Sequence, residues 1–236
     1  MRVVGGEWRG RPLGAPRGRG TRPTSDKVRE ATFSVLAALP EVRPHVAPAL
    51  PAGDHGDAGS GVLPGDDRGT PAGVLAGQRV LDLFAGSGAL GIEALSRGAE
   101  SCVFVENERA ALAALRGNLE RLGIEAGRGA RARVAASDVR RALQADARRG
   151  ARYTLVFADP PYDRYAEVRP ALVRLLEPLL ATRAVLVIET AAGTEVELPW
   201  ATVRTKRYGD TKVTFLVTGE EEDGGGPTGE DYAASG

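Results

Sequence analysis

The segment Val80–Gly91, VLDLFAGSGALG, passes from a short aliphatic run through one acid into three glycines. Val80 to Leu83 has the β-branched and aliphatic character of a strand buried in a parallel sheet. Gly86 and Gly88 can take backbone angles closed to other residues and leave room for a ligand to approach the main chain. A helix beginning there presents unpaired N–H groups at its N-terminus. Strand, glycine turn and helix in that order form a nucleotide or nucleoside pocket at the carboxyl end of the strand. Gly86-Ser87-Gly88-Ala89-Leu90-Gly91 also spells GxGxxG, so a dinucleotide remains open as the ligand at this point.

Outward from this segment the pattern alternates between strand and helix. Strand Arg79–Leu83 leads to a helix over Gly88–Arg97 and a second strand over Ser101–Glu106. The next helix, Glu108–Leu122, places Leu112, Leu115, Leu119 and Leu122 on one face, and Gly123 suits its C-terminal cap. Strand Arg133–Ala136, helix Val139–Arg149 and strand Tyr153–Ala158 follow. A helix through Val168, Leu172, Leu175 and Leu176 ends near Glu177, because Pro178 cannot continue it. Strand Ala184–Glu189 closes the series, and two strands near Thr202–Tyr208 and Lys212–Thr218 pair as an antiparallel ribbon. The expected fold is α/β: a Rossmann-like, mostly parallel doubly wound sheet with an antiparallel C-terminal edge.

Around this 78–218 unit the chain carries three other regions. Residues 1–39 are a basic extension: a small hairpin with Arg2-Val3-Val4 as one strand, Gly5-Gly6 as the turn and Trp8 on the return, then a helix. The helix starts at Thr24-Ser25-Asp26, repeats Val28, Thr32, Val35, Leu36 and Leu39, and stops at Pro40. Residues 40–77, rich in Pro, Gly, Ala and Asp, read as a flexible insert, and residues 219–236 as a disordered acidic tail. Lys plus Arg and Asp plus Glu balance at 31 each, but residues 1–30 carry net +5 and residues 219–236 net −6. A basic arm suits a polyanionic partner.

Other chemistries are excluded early. The one cysteine, Cys102, sits in an apolar run, so no disulfide framework or cysteine metal site exists. Both histidines, His45 and His55, fall in the irregular insert, away from the strand ends. No metal site is expected. The chain has no run of 18 apolar residues and no apolar signal region near Met1, so a cytoplasmic protein without membrane contact is expected. Nothing suggests an apolar interface, which points to a monomer.

Three further features converge on the strand ends. Glu106 ends the second strand, where an acid can accept both hydroxyls of a ribose. Asp138 follows the third strand and can accept a hydrogen bond from an exocyclic amine of a purine, although acids also serve ordinary helix starts. Asp159-Pro160-Pro161-Tyr162 follows the fourth strand. Its prolines stiffen the loop and hold Asp159 extended. A carboxylate, a carbonyl and an aromatic ring in fixed geometry are the parts needed to grip a planar base bearing an amine.

DLFAGSG, Glu106, Ser137-Asp138 and DPPY together resemble S-adenosylmethionine-dependent amino-methyltransferases. The stretches Val4-Gly5-Gly6-Glu7-Trp8-Arg9-Gly10, Arg22-Pro23-Thr24-Ser25-Asp26-Lys27-Val28-Arg29-Glu30 and Tyr208-Gly209-Asp210-Thr211 narrow the resemblance to the RsmD family, bacterial methyltransferases of small-subunit ribosomal RNA. It covers roughly residues 1–39 and 78–218. It implies methyl transfer from S-adenosylmethionine to the exocyclic N2 of one guanine in 16S rRNA, within a small ribosomal subunit or its assembly intermediate. By the same resemblance Asp82, Leu83, Phe84, Ala85, Gly86, Ser87 and Gly88 cradle the methionine part of the cofactor. Glu106 with Asn107 holds the ribose, and Asp138 with Val139 the adenine. Asp159 and the Pro160 carbonyl take the amine, Pro161 stiffens the loop and Tyr162 stacks on the base. Arg9, Arg11, Arg22, Lys27 and Arg29 hold RNA phosphates.

Rival readings are an amino-methyltransferase of DNA adenine N6 or a protein glutamine, an NAD-dependent oxidoreductase, and a non-catalytic RNA-binding assembly protein. The oxidoreductase leaves DPPY unexplained and has no histidine at the strand ends to serve as an acid.

Overall fold

A computed structural model describes residues 1–16, 25–42, 73–161 and 164–219. Helix α1 (Asp26–Ala38) precedes the alternating series β1 (Arg79–Leu83), α2 (Ala89–Ser96), β2 (Ser101–Glu106), α3 (Arg109–Leu122), β3 (Ala132–Ala136), α4 (Val139–Arg148), β4 (Tyr153–Ala158), α5 (Tyr165–Leu176) and β5 (Leu180–Ala191). Strands β6 (Ala201–Tyr208) and β7 (Thr211–Val217) complete one seven-stranded sheet in the order β3-β2-β1-β4-β5-β7-β6. All pairings from β3 to β5 are parallel, and β7 runs antiparallel to both β5 and β6. The α/β doubly wound fold with an antiparallel edge is therefore present.

Side-chain alternation sends the two faces of each strand into separate cores. Val80, Leu155, Phe157, Val185 and Val187 pack on one face with Phe33 and Leu36 of α1, Ile92 of α2 and Leu115 and Leu119 of α3. Leu81, Leu83, Val156, Leu186 and Ile188 pack on the other with Leu143 of α4 and Val168, Leu172 and Leu176 of α5. The chain proceeds outward from β1 to β3 and then crosses back to β4, so the strand order reverses between β1 and β4. That reversal opens a crevice at the carboxyl ends of the strands, the usual ligand position in such sheets.

Helix boundaries follow local chemistry. Ser25 caps α1 by accepting from the Val28 N–H at 3.2 Å. Leu39 is extended (φ −76°, ψ 129°) because it precedes Pro40, and the helix ends there. Gly123 closes α3 in the left-handed conformation at φ 71°.

The structure changes several sequence expectations. Trp8 lies in the turn rather than on the return strand: the backbone pairs Val3 with Arg11 and Leu13 with Met1, and the antiparallel bridge is Arg2 to Pro12. Strand β5 begins at Leu180 instead of Ala184, entering through a register irregularity opposite Tyr153 and Leu155. The expected insert 40–77 is tied down at its described ends, where Val42 and Leu75 are buried and the Leu75 N–H donates to Arg97 O at 3.1 Å. Residues 43–72, both histidines included, lie outside the described residues, as does the acidic stretch from 220.

Candidate active site

The glycine turn gains its shape from three left-handed residues: Phe84 at φ 60°, Gly86 at φ 56° and Gly88 at φ 81°. Such a conformation is uncommon for a non-glycine residue, so Phe84 marks a strained point in the loop. Glycine is required at position 88 for a second reason. A Cβ there would stand 2.4 Å from Leu115 Cδ1. Beneath the turn, Asp82 is buried and its Oδ2 accepts from the Gly91 N–H of α2 at 2.9 Å. Desolvation pushes its carboxyl up to about 7, against the lowering effect of that N–H, and the Glu106 charge adds to the rise. Burial likewise pushes the neighbouring Cys102 thiol up.

Glu106 occupies the tip of β2 with its carboxylate fixed. Oε2 accepts from Gly86 N–H at 2.8 Å, and Oε1 accepts from Asn107 and Glu108 N–H at 2.7 and 2.8 Å. These bonds tie the glycine turn to the second strand and aim the acid at the crevice. Asp138 is exposed and caps α4, accepting from Arg140 N–H at 2.9 Å, while Val139 behind it is buried. The ordinary helix-start role is therefore filled, at a position that also borders the crevice.

Asp82, Glu106, Asp138 and most of the turn border one cavity of about 590 Å³. Its wall contains Asp82, Phe84 to Ser87, Glu106 to Glu108 and Ser137 to Arg140 on one side, and Asp159, Pro160, Pro161 and Glu189 on the other. Leu83, buried under the turn, and Gly88, at the head of α2, shape the loop without being among the lining residues. Tyr162 lies outside the described residues. Glu189 was not singled out in the sequence, although the expected strand Ala184–Glu189 ended on it; β5 itself continues two residues further, to Ala191. Met1, Pro16 and Arg164 also line the cavity, and no local sequence signal marks them.

The cavity suits a cationic nucleoside. Acids Asp82 and Glu106 favour positive charge, while Phe84, Leu90, Val105, Ala111 and Val139 offer apolar surface for a base. At Gly86 an added Cβ would meet nothing nearer than Phe84 O at 4.0 Å, so space remains beside the turn for a ligand.

The N-terminal arm is also built into the core. Val3 and Leu13 are buried in the core. Trp8 N–H donates to Ser96 Oγ at 2.9 Å, Ser96 Oγ donates to Gly5 O at 2.6 Å, and Glu7 N–H donates to Ser96 O at 2.8 Å. Contact with the end of α2 is so close that a Cβ on Gly6 would fall 1.9 Å from Ser96 O. Further along, the Asn118 side chain on α3 accepts from Gly14 N–H at 2.7 Å and donates to Gly14 O and Ser87 O at 3.0 and 2.9 Å. One amide thus joins the arm to the cofactor turn.

Arg29 corrects the sequence reading. Its side chain is 0% exposed, donating to Arg2 O and to Asp26 Oδ1, with Nε 3.7 Å from Glu93. Glu93, also 0% exposed, binds Arg97 Nε at 2.7 Å and Val4 N–H at 2.8 Å, and Arg97 stacks over Phe33 at 5.1 Å. A guanidinium enclosed in this way cannot reach a phosphate. Arg11 is exposed, with one Nη donating to Arg121 O at 3.0 Å; Lys27 is exposed and Arg9 half-buried. Arg22 lies outside the described residues.

A sequence family described as "Conserved hypothetical protein 95" matches residues 1–55 and 69–217. YlbH of Bacillus subtilis, named as a candidate rRNA methyltransferase, is 35% identical over 199 residues, covering 84% of this chain and 86% of that protein. Ribosomal RNA small subunit methyltransferase D of Escherichia coli is 33% identical over 192 residues, 80% of this chain and 74% of that one. A solved structure described as the candidate methyltransferase yhhF from Escherichia coli superposes with TM-score 0.64 at 31% identity, covering 94% of this chain and 99% of that one. No helix among the described residues is long and apolar enough to cross a membrane. With its glycine turn, strand-end acids and Asp-Pro-Pro loop around one cavity, the chain belongs to the RsmD family of S-adenosylmethionine-dependent methyltransferases.

Proposed function

We propose that the protein transfers a methyl group from S-adenosylmethionine to the exocyclic N2 of a guanine in bacterial small-subunit rRNA. One observation carries this reading: Asp159, Pro160 and Pro161 border the same cavity as Asp82, the glycine turn and Glu106. In this reading a donor pocket and an amine grip share one space. Relatives named as rRNA methyltransferases supply the substrate class.

In this reading the turn from Asp82 to Gly88 holds the methionine end and Glu106, beside Asn107, the ribose. Asp138 and Val139 border the adenine. S-adenosylmethionine supplies a methyl carbon on a positively charged sulfur, and its transfer to an amine leaves a neutral thioether and one proton to be shed. Such a donor is already reactive, so the protein's task is chiefly to position the amine. The Asp159 carboxylate and Pro160 carbonyl accept the two amine hydrogens, which aims the nitrogen lone pair and stabilises the positive charge that develops there. Pro161 keeps this pair rigid, and Tyr162 stacks on the base. A guanine within folded RNA must leave its stack to enter. Exposed Arg11 and Lys27, with Arg9 and Arg22, meet the phosphates around it. The work takes place in the bacterial cytoplasm, on the small subunit or its assembly intermediate.

Mass mapping of rRNA nucleosides from a strain lacking the gene tests this reading. One N2-methylguanosine should vanish from small-subunit rRNA and return when the gene is restored. Unchanged rRNA would overturn the proposal, and a lost methyl on a DNA adenine or a protein glutamine would move the activity there.

A further inference from the structure

The acceptor side of the cavity contains a second carboxylate that the proposed amine grip does not use. Parallel pairing of β4 with β5 aligns Phe157 with Val187 and Ala158 with Ile188. Asp159, the first residue after β4, and Glu189 of β5 each follow that last aligned pair by one position. Glu189 is buried, at 8% exposure, and lines the cavity together with Asp159, Pro160 and Pro161. Carboxylates on this wall suit a ligand rich in N–H donors.

Nucleobases bearing an exocyclic amine differ in the atom beside it. In adenine and cytosine the neighbouring ring nitrogen on the pairing edge is an acceptor with no hydrogen. In guanine the neighbour, N1, carries a hydrogen, so this edge offers three N–H donors in a row. The acceptor side of the cavity offers three acceptors: the Asp159 carboxylate, the Pro160 carbonyl and the Glu189 carboxylate. We infer that Glu189 reads the N1–H of the target guanine, and that this contact selects guanine over other amine-bearing bases. An aspartate and a proline carbonyl alone would grip any of these amines. Placed opposite the bare N1 of adenine, Glu189 would set a lone pair against a lone pair. A site built around a substrate N–H discriminates strongly against analogues lacking it.

This inference rests on the guanine-N2 reading above and identifies the residue that makes the base choice. The test uses small subunits reconstituted with rRNA carrying either guanine or 2-aminopurine at the methylated position. 2-Aminopurine keeps the amine but has an unprotonated N1 and no O6. The full-length wild-type chain should methylate guanine at least about tenfold faster than 2-aminopurine. In Glu189→Gln the side-chain amide can donate to the bare N1, so the preference should narrow to within about threefold or invert. Binding of S-adenosylmethionine by calorimetry confirms that the variant is folded.

A wild-type enzyme that methylates both bases alike overturns the inference without any variant. So does a Glu189→Gln enzyme that loses rate on both bases equally and keeps the wild-type ratio, which is what a purely structural role would give. Failure of the wild type to methylate the guanine subunit removes the underlying reading, and the inference with it. Methylation that proceeds normally with an unchanged ratio removes the inference alone.

Discussion

Glu93 and Glu189 are both buried carboxylates, but their surroundings differ. Glu93 is enclosed by its own chain, with Arg97 at 2.7 Å, the Val4 N–H at 2.8 Å and Arg29 at 3.7 Å. Glu189 stands in the wall of a cavity beside Asp159. The first acid holds the N-terminal arm on α2, and the second lines the cavity. Charge type and burial alone do not separate a structural group from a functional one; what each group faces does. Arg29 shows the same lesson from the other side, since a cation in the first turns of α1 serves the core.

The largest effect should come from breaking the enclosed set. Glu93→Ala leaves the Arg97 guanidinium buried without its carboxylate and Arg29 with Asp26 still beside it, and loss of one partner from such a cluster costs about 3–5 kcal/mol. Urea unfolding of the cofactor-free protein measures this. A loss below about 1 kcal/mol would mean that the cluster is not what fastens the arm.

Asp82 sharpens the contrast, because it is buried like Glu93 but has no cation beside it among its named contacts. Its carboxyl is raised in the folded protein to about 7, so the folded state holds a proton that the unfolded chain has released. Stability from this group is fully present below about pH 4 and is lost as pH rises towards 7. Relative to Asp82→Asn, the wild type should lose up to about 4 kcal/mol across that window, at about 1.4 kcal/mol per pH unit. Parallel stability profiles for the two proteins between pH 4 and 7 would contradict the raised carboxyl. A cationic ligand beside Asp82 should also drive the proton off, so cofactor binding near pH 6.5 should release protons, detected as a buffer-dependent binding enthalpy.

Asn118 joins the two regions, and its removal should have a smaller, shared effect. Asn118→Ala leaves Ser87 O and the Gly14 backbone groups without this partner, worth about 1–3 kcal/mol. Both unfolding stability and cofactor affinity should fall. Weaker stability with unchanged affinity would show that the arm and the cofactor turn are not coupled through this amide.

The fold was legible in the sequence because its signals are local. The Leu112, Leu115, Leu119 and Leu122 stripe, the Gly123 cap and the Val80–Leu83 run each report their own surroundings, and β1 to β4 and α1 to α4 lie within a residue or so of their expected limits. Glu106 and Asp159 were legible as strand-end acids at the site. Other features depend on partners distant in sequence. Nothing near Arg29 announces Glu93, which lies 64 positions later and turns a surface cation into a core one. Likewise the Gly5-Gly6 pair is explained by Ser96 and Arg97 at the end of α2 rather than by a tight turn alone. Glu189 was missed for another reason, since its strand was read chiefly as the close of the parallel series.

Asp159 carries the central claim, that the rigid loop after β4 holds the accepting amine while the glycine turn holds the donor. The direct measurement compares wild type and Asp159→Ala for labelled methyl transfer to small-subunit rRNA, with S-adenosylmethionine affinity measured on the same preparations. Methyl transfer should fall by about a hundredfold to a thousandfold or more, with affinity within about twofold of wild type. Transfer that persists at the wild-type rate, or that falls only in proportion to cofactor affinity, would contradict it.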